Sequence, residues 1–189
     1  MSHMRLADFE ARYRSDPDPW DYETSAYEQA KYDATLTACT PGPFAHGLEL
    51  GSSIGVLSAR LAGRCRRLTT IDGSPTAVGQ ARRRLADRGG VEAIVGEVPQ
   101  AIPDGPFDLV VASEILYYLE PEALQDTLQR LCETTADSAR VVAVHWRPPG
   151  PERPFTAAEV HERLRSQRWL TWLESAATDD YLLDVLVRR

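Results

Sequence analysis

Leu48-Glu49-Leu50-Gly51-Ser52-Ser53-Ile54-Gly55 joins a short apolar strand to a glycine turn, and an amphipathic helix follows over Ser53 to Ala62. Strand, turn and helix in that order open a βαβ unit. The alternation continues outward from it. Leu68 to Ile71 reads as a strand, Pro75 stands where a helix begins, and Ala77 to Ala86 continues it. Val91 to Val95 and Phe107 to Ala112 are strands, Pro121 opens a helix to Cys132, and Arg140 to Val144 is the next strand. This rhythm predicts an α/β fold: a doubly wound, Rossmann-like parallel sheet with helices on both faces.

Both ends depart from the rhythm. After the loop Pro148 to Pro154, a helix over Ala157 to Ser166 precedes two β-rich runs, Trp169 to Leu173 and Tyr181 to Val187. They predict a C-terminal antiparallel hairpin. Residues 5–38 carry two helical patterns split by Asp16-Pro17-Asp18-Pro19-Trp20, which predicts an N-terminal helical cap on a domain over residues 39–189. Residues 1–4, Met1-Ser2-His3-Met4, read as a cloning remnant and start.

Composition narrows the function classes. The 189 residues suit one compact domain, with 43% hydrophobic and 26% charged residues, as in globular chains. A membrane helix needs roughly 18 to 20 apolar residues in a row, and no run approaches that. No signal-peptide pattern opens the chain. Cys39, Cys65 and Cys132 are scattered, which fits neither a disulfide scaffold nor a zinc site and suits the cytoplasm. The four histidines are dispersed, so no metal is expected. A net charge of −7 argues against nucleic acid as the main ligand. Twenty of the 21 basic residues are arginine, with Lys31 the exception.

Doubly wound sheets bind ligands at the carboxyl ends of their strands. Here those ends carry Glu49 with Gly51 and Gly55, Asp72, Glu97, Ser113-Glu114 and His145-Trp146. A dinucleotide fingerprint needs GxGxxG, yet Ser53 stands where its second glycine belongs, and Glu49 would repel a phosphate. S-adenosylmethionine has no phosphate and carries a sulfonium and an ammonium. Asp72 follows Gly51 by 21 residues, the interval at which an acidic side chain accepts ribose hydroxyls.

With these residues the chain resembles the class I S-adenosylmethionine-dependent methyltransferases. It is more closely similar to the nodulation protein S family, N-methyltransferases acting on a glucosamine amine of chitin-like oligosaccharides. The resemblance rests on Asp18-Pro19-Trp20, Tyr27-Glu28 with Lys31, Leu48-Glu49-Leu50-Gly51 with Gly55, Arg67-Leu68-Thr69-Thr70-Ile71-Asp72, Phe107-Asp108-Leu109-Val110-Val111 and Glu114-Ile115-Leu116-Tyr117-Tyr118-Leu119. It implies that Glu49, Gly51 and Gly55 frame the methionine end of the cofactor and that Asp72 holds the ribose. Gly73 and Ser74 would line the adenine edge, and Glu97 and Val98 would meet the exocyclic amine and one adenine face. Many members have aspartate where Glu97 stands.

The remaining candidates have two readings each. Trp20 either anchors the amino-terminal segment or touches bound ligand. Tyr27 and Lys31, four apart on one helix face, either form a lid gripping the methionine carboxylate or leave Lys31 in a solvated pair with Glu28. Ser113 and Glu114 would lie near the transferring methyl, with Glu114 orienting an acceptor amine beside Tyr117 or Tyr118. His145 is either a base or a hydrogen-bonded backbone prop, and His161 is surface or rim. The expected activity is methyl transfer by in-line displacement to a small-molecule amine, an amino sugar among the candidates, with neither nucleic acid nor membrane as partner. An O-methyltransferase and a non-catalytic partner subunit are the alternatives.

Overall fold

The computed structural model describes residues 3–148 and 150–189. Two helices come first, α1 (Leu6–Ser15) and α2 (Ala26–Ala38), followed by β1 (Phe44–Leu50), α3 (Val56–Leu61), β2 (Cys65–Asp72), α4 (Pro75–Arg84) and β3 (Val91–Val95). Then come β4 (Phe107–Ser113), α5 (Pro121–Thr134), β5 (Thr135–Trp146), α6 (Ala157–Arg165), β6 (Leu170–Ala177) and β7 (Tyr181–Arg188). They build one seven-stranded sheet of order β3-β2-β1-β4-β5-β7-β6. The first five strands run parallel, and β7 runs antiparallel to both β5 and β6.

The central strands are apolar on alternate residues in both directions, because both faces are covered. On one face Leu48, Leu50, Val110, Ala112, Val141 and Ala143 pack with Leu124, Leu128 and Leu131 of α5 and Val160 and Leu164 of α6. On the other, Leu109, Val111, Val142 and Val144 pack with Leu57 and Leu61 of α3. Each such leucine contributes about 1.5–3 kcal/mol when fully buried. Local signals set the helix starts. Pro75 and Pro121 open α4 and α5, Ser25 and Ser74 cap α2 and α4, and Thr156 with Glu159 forms a reciprocal cap on α6.

One boundary differs from the sequence expectation, and two details add to it. The first crossover helix begins at Val56 rather than Ser53, because Gly51, Ser53 and Gly55 all have positive φ (79°, 49° and 81°) and cannot join a right-handed helix. The turn after β4 is a 3-10 helix, Leu116–Tyr118. Met4, read as the start of the chain proper, joins the fold through its N–H, which donates to the Glu152 carbonyl at 2.8 Å. Met1 and Ser2 lie outside the described residues.

Candidate active site

The carboxyl ends of β1, β2, β3 and β4 open on a cavity of about 550 Å³. Gly51 and Ser53 line it beyond β1, Asp72 and Gly73 at β2, Glu97 and Val98 beyond β3, and Ser113 and Glu114 at β4. Tyr117 and Tyr118 of the 3-10 turn and Trp146 at the end of β5 complete that side. Met4, Leu6, Phe9 and Tyr13, then Trp20, Tyr22, Tyr27, Glu28 and Lys31, close it from the amino-terminal segment.

Asp72 ties the loops together. Its two carboxylate oxygens accept the Ser53 and Ser74 N–H groups, each at 2.8 Å. Burial pushes its carboxyl above the usual range, and those two bonds pull it back. Each oxygen keeps a second lone pair for a ligand hydroxyl. At Gly51 a β-carbon would stand 3.1 Å from both the Ser113 carbonyl and the Ile115 side chain, so crowding against β4 adds to its positive φ.

Glu114 has φ 55°, a left-handed conformation that is strained for a side-chain-bearing residue and sits at the cavity wall. Its Oε1 accepts Lys31 Nζ at 2.8 Å, while Oε2 accepts the Tyr117 hydroxyl and the Trp146 N–H, the latter at 3.0 Å. Lys31 also donates to Glu28 Oε1 at 3.0 Å. The ammonium is 2% exposed, so neither a solvated pair nor a free grip on a ligand carboxylate describes it. Burial alone would lower its pKa, but Glu114 and Glu28 outweigh that and raise it.

An aromatic cluster covers the top. Phe9 meets Tyr118 edge-on with centroids 4.9 Å apart, and Trp20 packs against Tyr13 at 5.4 Å and Tyr22 at 5.7 Å. The Tyr13 hydroxyl and Ser53 Oγ lie 2.6 Å apart. Glu10 of α1 accepts Ser74 Oγ at 2.5 Å and Thr76 Oγ1 at 2.7 Å, which clips α1 to the first turn of α4. Those hydroxyls, Ser74 first, lower the Glu10 carboxyl to about 2. The role of α1 was missed in the sequence, although Phe9 and Tyr13 stand four apart on one face of it.

Four candidates lie off the cavity. Glu49 points away from it, where Oε2 accepts Ser58 Oγ at 2.5 Å and Thr70 Oγ1 at 2.7 Å, and burial raises its carboxyl to about 7. Alternation along β1 explains this, since Leu48 and Leu50 face α5 and Glu49 must face α3. Gly55 serves packing: a β-carbon there would meet the Ala81 backbone of α4 at 2.9 Å. Ser74 is the buried N-cap of α4. His145 is fully buried behind the wall, where Nε2 accepts the Leu116 N–H at 3.3 Å and Nδ1 meets His161 Nε2 at 3.1 Å. Burial, reinforced by His161, drives its pKa well below the usual histidine value. His161 is itself 1% exposed, not surface or rim.

A parallel sheet with an antiparallel seventh strand, and a cavity at the strand ends closed by amino-terminal helices, is the Rossmann-like methyltransferase fold. Comparison with known proteins makes the assignment more particular. The family profile described as Nodulation protein S (NodS) matches residues 7–143, and the chain belongs to that family. Nodulation protein S of Sinorhizobium fredii is 35% identical over 127 residues, 66% of this chain and 59% of that protein. The Rhizobium tropici protein is 36% identical over 103 residues, 54% of this chain and 43% of that one. The match thus spans about three fifths or less of these relatives' lengths. The crystal structure of N-methyltransferase NodS from Bradyrhizobium japonicum WM9 with S-adenosyl-L-homocysteine superposes with TM-score 0.82 at 23% identity, covering 98% of this chain and 99% of that one.

Proposed function

We propose that this chain is an S-adenosylmethionine-dependent N-methyltransferase acting on a small-molecule amine, an amino sugar among the candidates. The observation that carries the reading is the cavity wall itself: among its lining residues are five carboxylates, Glu28, Asp72, Glu97, Glu114 and Glu152, and one ammonium, Lys31. Such a wall suits a ligand of net positive charge and disfavours a phosphate. Membership of the nodulation protein S family supports it, and the Bradyrhizobium relative is described as an N-methyltransferase.

The residues present fit the cofactor. Asp72 has lone pairs left for ribose hydroxyls, and the Gly51 turn allows close approach of a ligand chain. Glu97 and Val98 line the cavity beyond β3 and would meet the adenine, and Ser113, Trp20 and Tyr22 line it as well. When bound, S-adenosylmethionine supplies an electrophilic methyl on a positive sulfur. The chain's own work is to orient the acceptor, exclude water and hold charge. Glu114, fixed by Lys31, Tyr117 and Trp146, presents a rigid negative edge for an amine. A hydroxyl acceptor would need a base at the reacting oxygen, and His145 is walled off from that duty. A cytoplasmic setting belongs to the same reading, supported by three free cysteines.

The test is calorimetric titration with S-adenosylmethionine, then incubation with methyl-labelled cofactor and a panel of amino sugars, simple amines and phenols, read by mass. Transfer to amines is expected. Binding without transfer to any amine, or transfer to phenols alone, would refute the assignment.

A further inference from the structure

The charges on α2 do not close on themselves. Lys31 is shared by Glu28 Oε1 and Glu114 Oε1, at 3.0 Å and 2.8 Å, so two carboxylates surround one ammonium. Glu114 fills its other oxygen with Tyr117 and Trp146. Glu28 does not: among the described residues no donor meets its buried Oε2 at hydrogen-bonding distance and angle, and the residue is 7% exposed. The adjacent Tyr27 hydroxyl is also buried without a partner. Both residues line the cavity.

A buried carboxylate oxygen without a donor is costly, and a cavity ligand can supply that donor. The donor must be compatible with a site already one negative charge in excess. A neutral hydroxyl would leave that charge uncompensated, and a phosphate or carboxylate would add to it. The Tyr27 ring adds a π face, which already lies 5.0 Å from the Lys31 ammonium. Burial raises the Glu28 carboxyl, with the Lys31 charge opposing the rise most and the Tyr32 hydroxyl opposing it weakly.

We propose that Tyr27 and Glu28 form a subsite for an ammonium group of the bound ligand, Glu28 Oε2 accepting its N–H and the Tyr27 hydroxyl completing its shell. This rests on the methyltransferase reading, under which the ammonium has two sources: the amino-acid end of the cofactor, or the acceptor amine before it sheds its proton.

Glu28→Gln keeps the shape and removes the charge, and Tyr27→Phe removes only the hydroxyl. Each folded variant, checked by thermal melting, is titrated calorimetrically with S-adenosylhomocysteine and with methylthioadenosine, which lacks the amino-acid end. Ethylammonium is then titrated into the S-adenosylhomocysteine complex, read by the fluorescence of Trp20 and Trp146. If the cofactor supplies the ammonium, S-adenosylhomocysteine affinity falls about tenfold or more in Glu28→Gln, less in Tyr27→Phe, and methylthioadenosine is unaffected. If the acceptor supplies it, S-adenosylhomocysteine binds normally and ethylammonium affinity falls about as far. Unchanged S-adenosylhomocysteine affinity, with ethylammonium silent or equally bound in all three proteins, overturns the subsite. Failure of the parent protein to bind S-adenosylhomocysteine at all overturns the methyltransferase reading instead.

Discussion

Lys31 Nζ and Glu114 Oε1 lie 2.8 Å apart although 83 residues separate them in sequence. One comes from the amino-terminal cap and the other from the end of the central strand β4, so the pair fastens the cap to the sheet inside the cavity wall. Replacing Lys31 by Met leaves Glu28 and Glu114 facing each other without the charge that offsets them. Breaking a buried pair in this way costs about 3–5 kcal/mol. Urea unfolding of Lys31→Met is expected to show that loss, and unchanged stability would contradict the pairing.

Asp72→Asn tests the loop junction. An asparagine can offer one carbonyl oxygen, whereas Asp72 serves Ser53 N–H and Ser74 N–H with two. The amide NH2 would face a backbone donor. S-adenosylmethionine affinity is therefore expected to fall by about 2–3 kcal/mol, with a measurable drop in melting temperature. The two backbone bonds, and not only the ligand contact, make the amide damaging. Full affinity in calorimetry would remove Asp72 from the site.

The two helices of the amino-terminal segment are held differently. Lys31 and Glu28 are buried and paired, so α2 is scaffold. Helix α1 is held at its rim by Glu10 on Ser74 and Thr76 and by Met4 on Glu152. It lines the cavity with Leu6, Phe9 and Tyr13, so a bound ligand is expected to tighten it. Hydrogen exchange over residues 6–15 is expected to slow when S-adenosylhomocysteine binds, while residues 26–38 are slow throughout. Equal protection of both helices without ligand would exclude that tightening.

What the sequence reveals about the site follows from how each residue is positioned. Asp72, Gly51 and Glu114 were legible because strand ends in a doubly wound sheet face the ligand side. Glu49 and His145 sit at the same ends yet point away, since both faces of a parallel sheet are covered and position along a strand does not give facing. A signal for His161 was present: Ala157, Val160, His161 and Leu164 recur at helical spacing, and all four are buried. Tyr27 and Lys31 are conspicuous in the sequence, which is why a lid is read there. The aromatic face of α1 is less so, since Glu10, Arg12 and Arg14 dilute it.

Glu49 makes stability depend on pH. Its folded carboxyl titrates at about 7 against an ordinary 4.5. Between those values the native state holds a proton that the unfolded chain has lost, so stability falls as pH rises through the window. The full span corresponds to about 3 kcal/mol. Glu49→Gln keeps an acceptor for Ser58 and Thr70 without the charge, and should flatten this dependence. Urea midpoints at about pH 5 and about pH 8 measure it. A parent protein equally stable at both would show that Glu49 ionises freely.

The last prediction concerns the chain of groups behind the wall. Leu116 N–H donates to His145 Nε2, so the His145 proton must reside on Nδ1, where it is given to His161 Nε2. His161 then carries its proton on Nδ1, 2.8 Å from Asp184 Oδ2. Asp184 is held ionised: burial would raise its carboxyl, but His161, Arg165 and Ser175 lower it further than burial lifts it. Each imidazole is thereby fixed in one tautomer, and the series links β7 to the 3-10 turn that carries Tyr117 against Glu114. His161→Leu leaves the His145 N–H without an acceptor and takes away the imidazole nitrogen 2.8 Å from Asp184, a cost of about 2–3 kcal/mol. His161→Gln, whose amide both accepts and donates, should recover much of it. Because the series lies outside the cavity, S-adenosylhomocysteine affinity is expected to stay within about twofold, while turnover falls as Tyr117 loosens from Glu114. A leucine variant as stable and as active as the parent would reduce the two histidines to ordinary core filling.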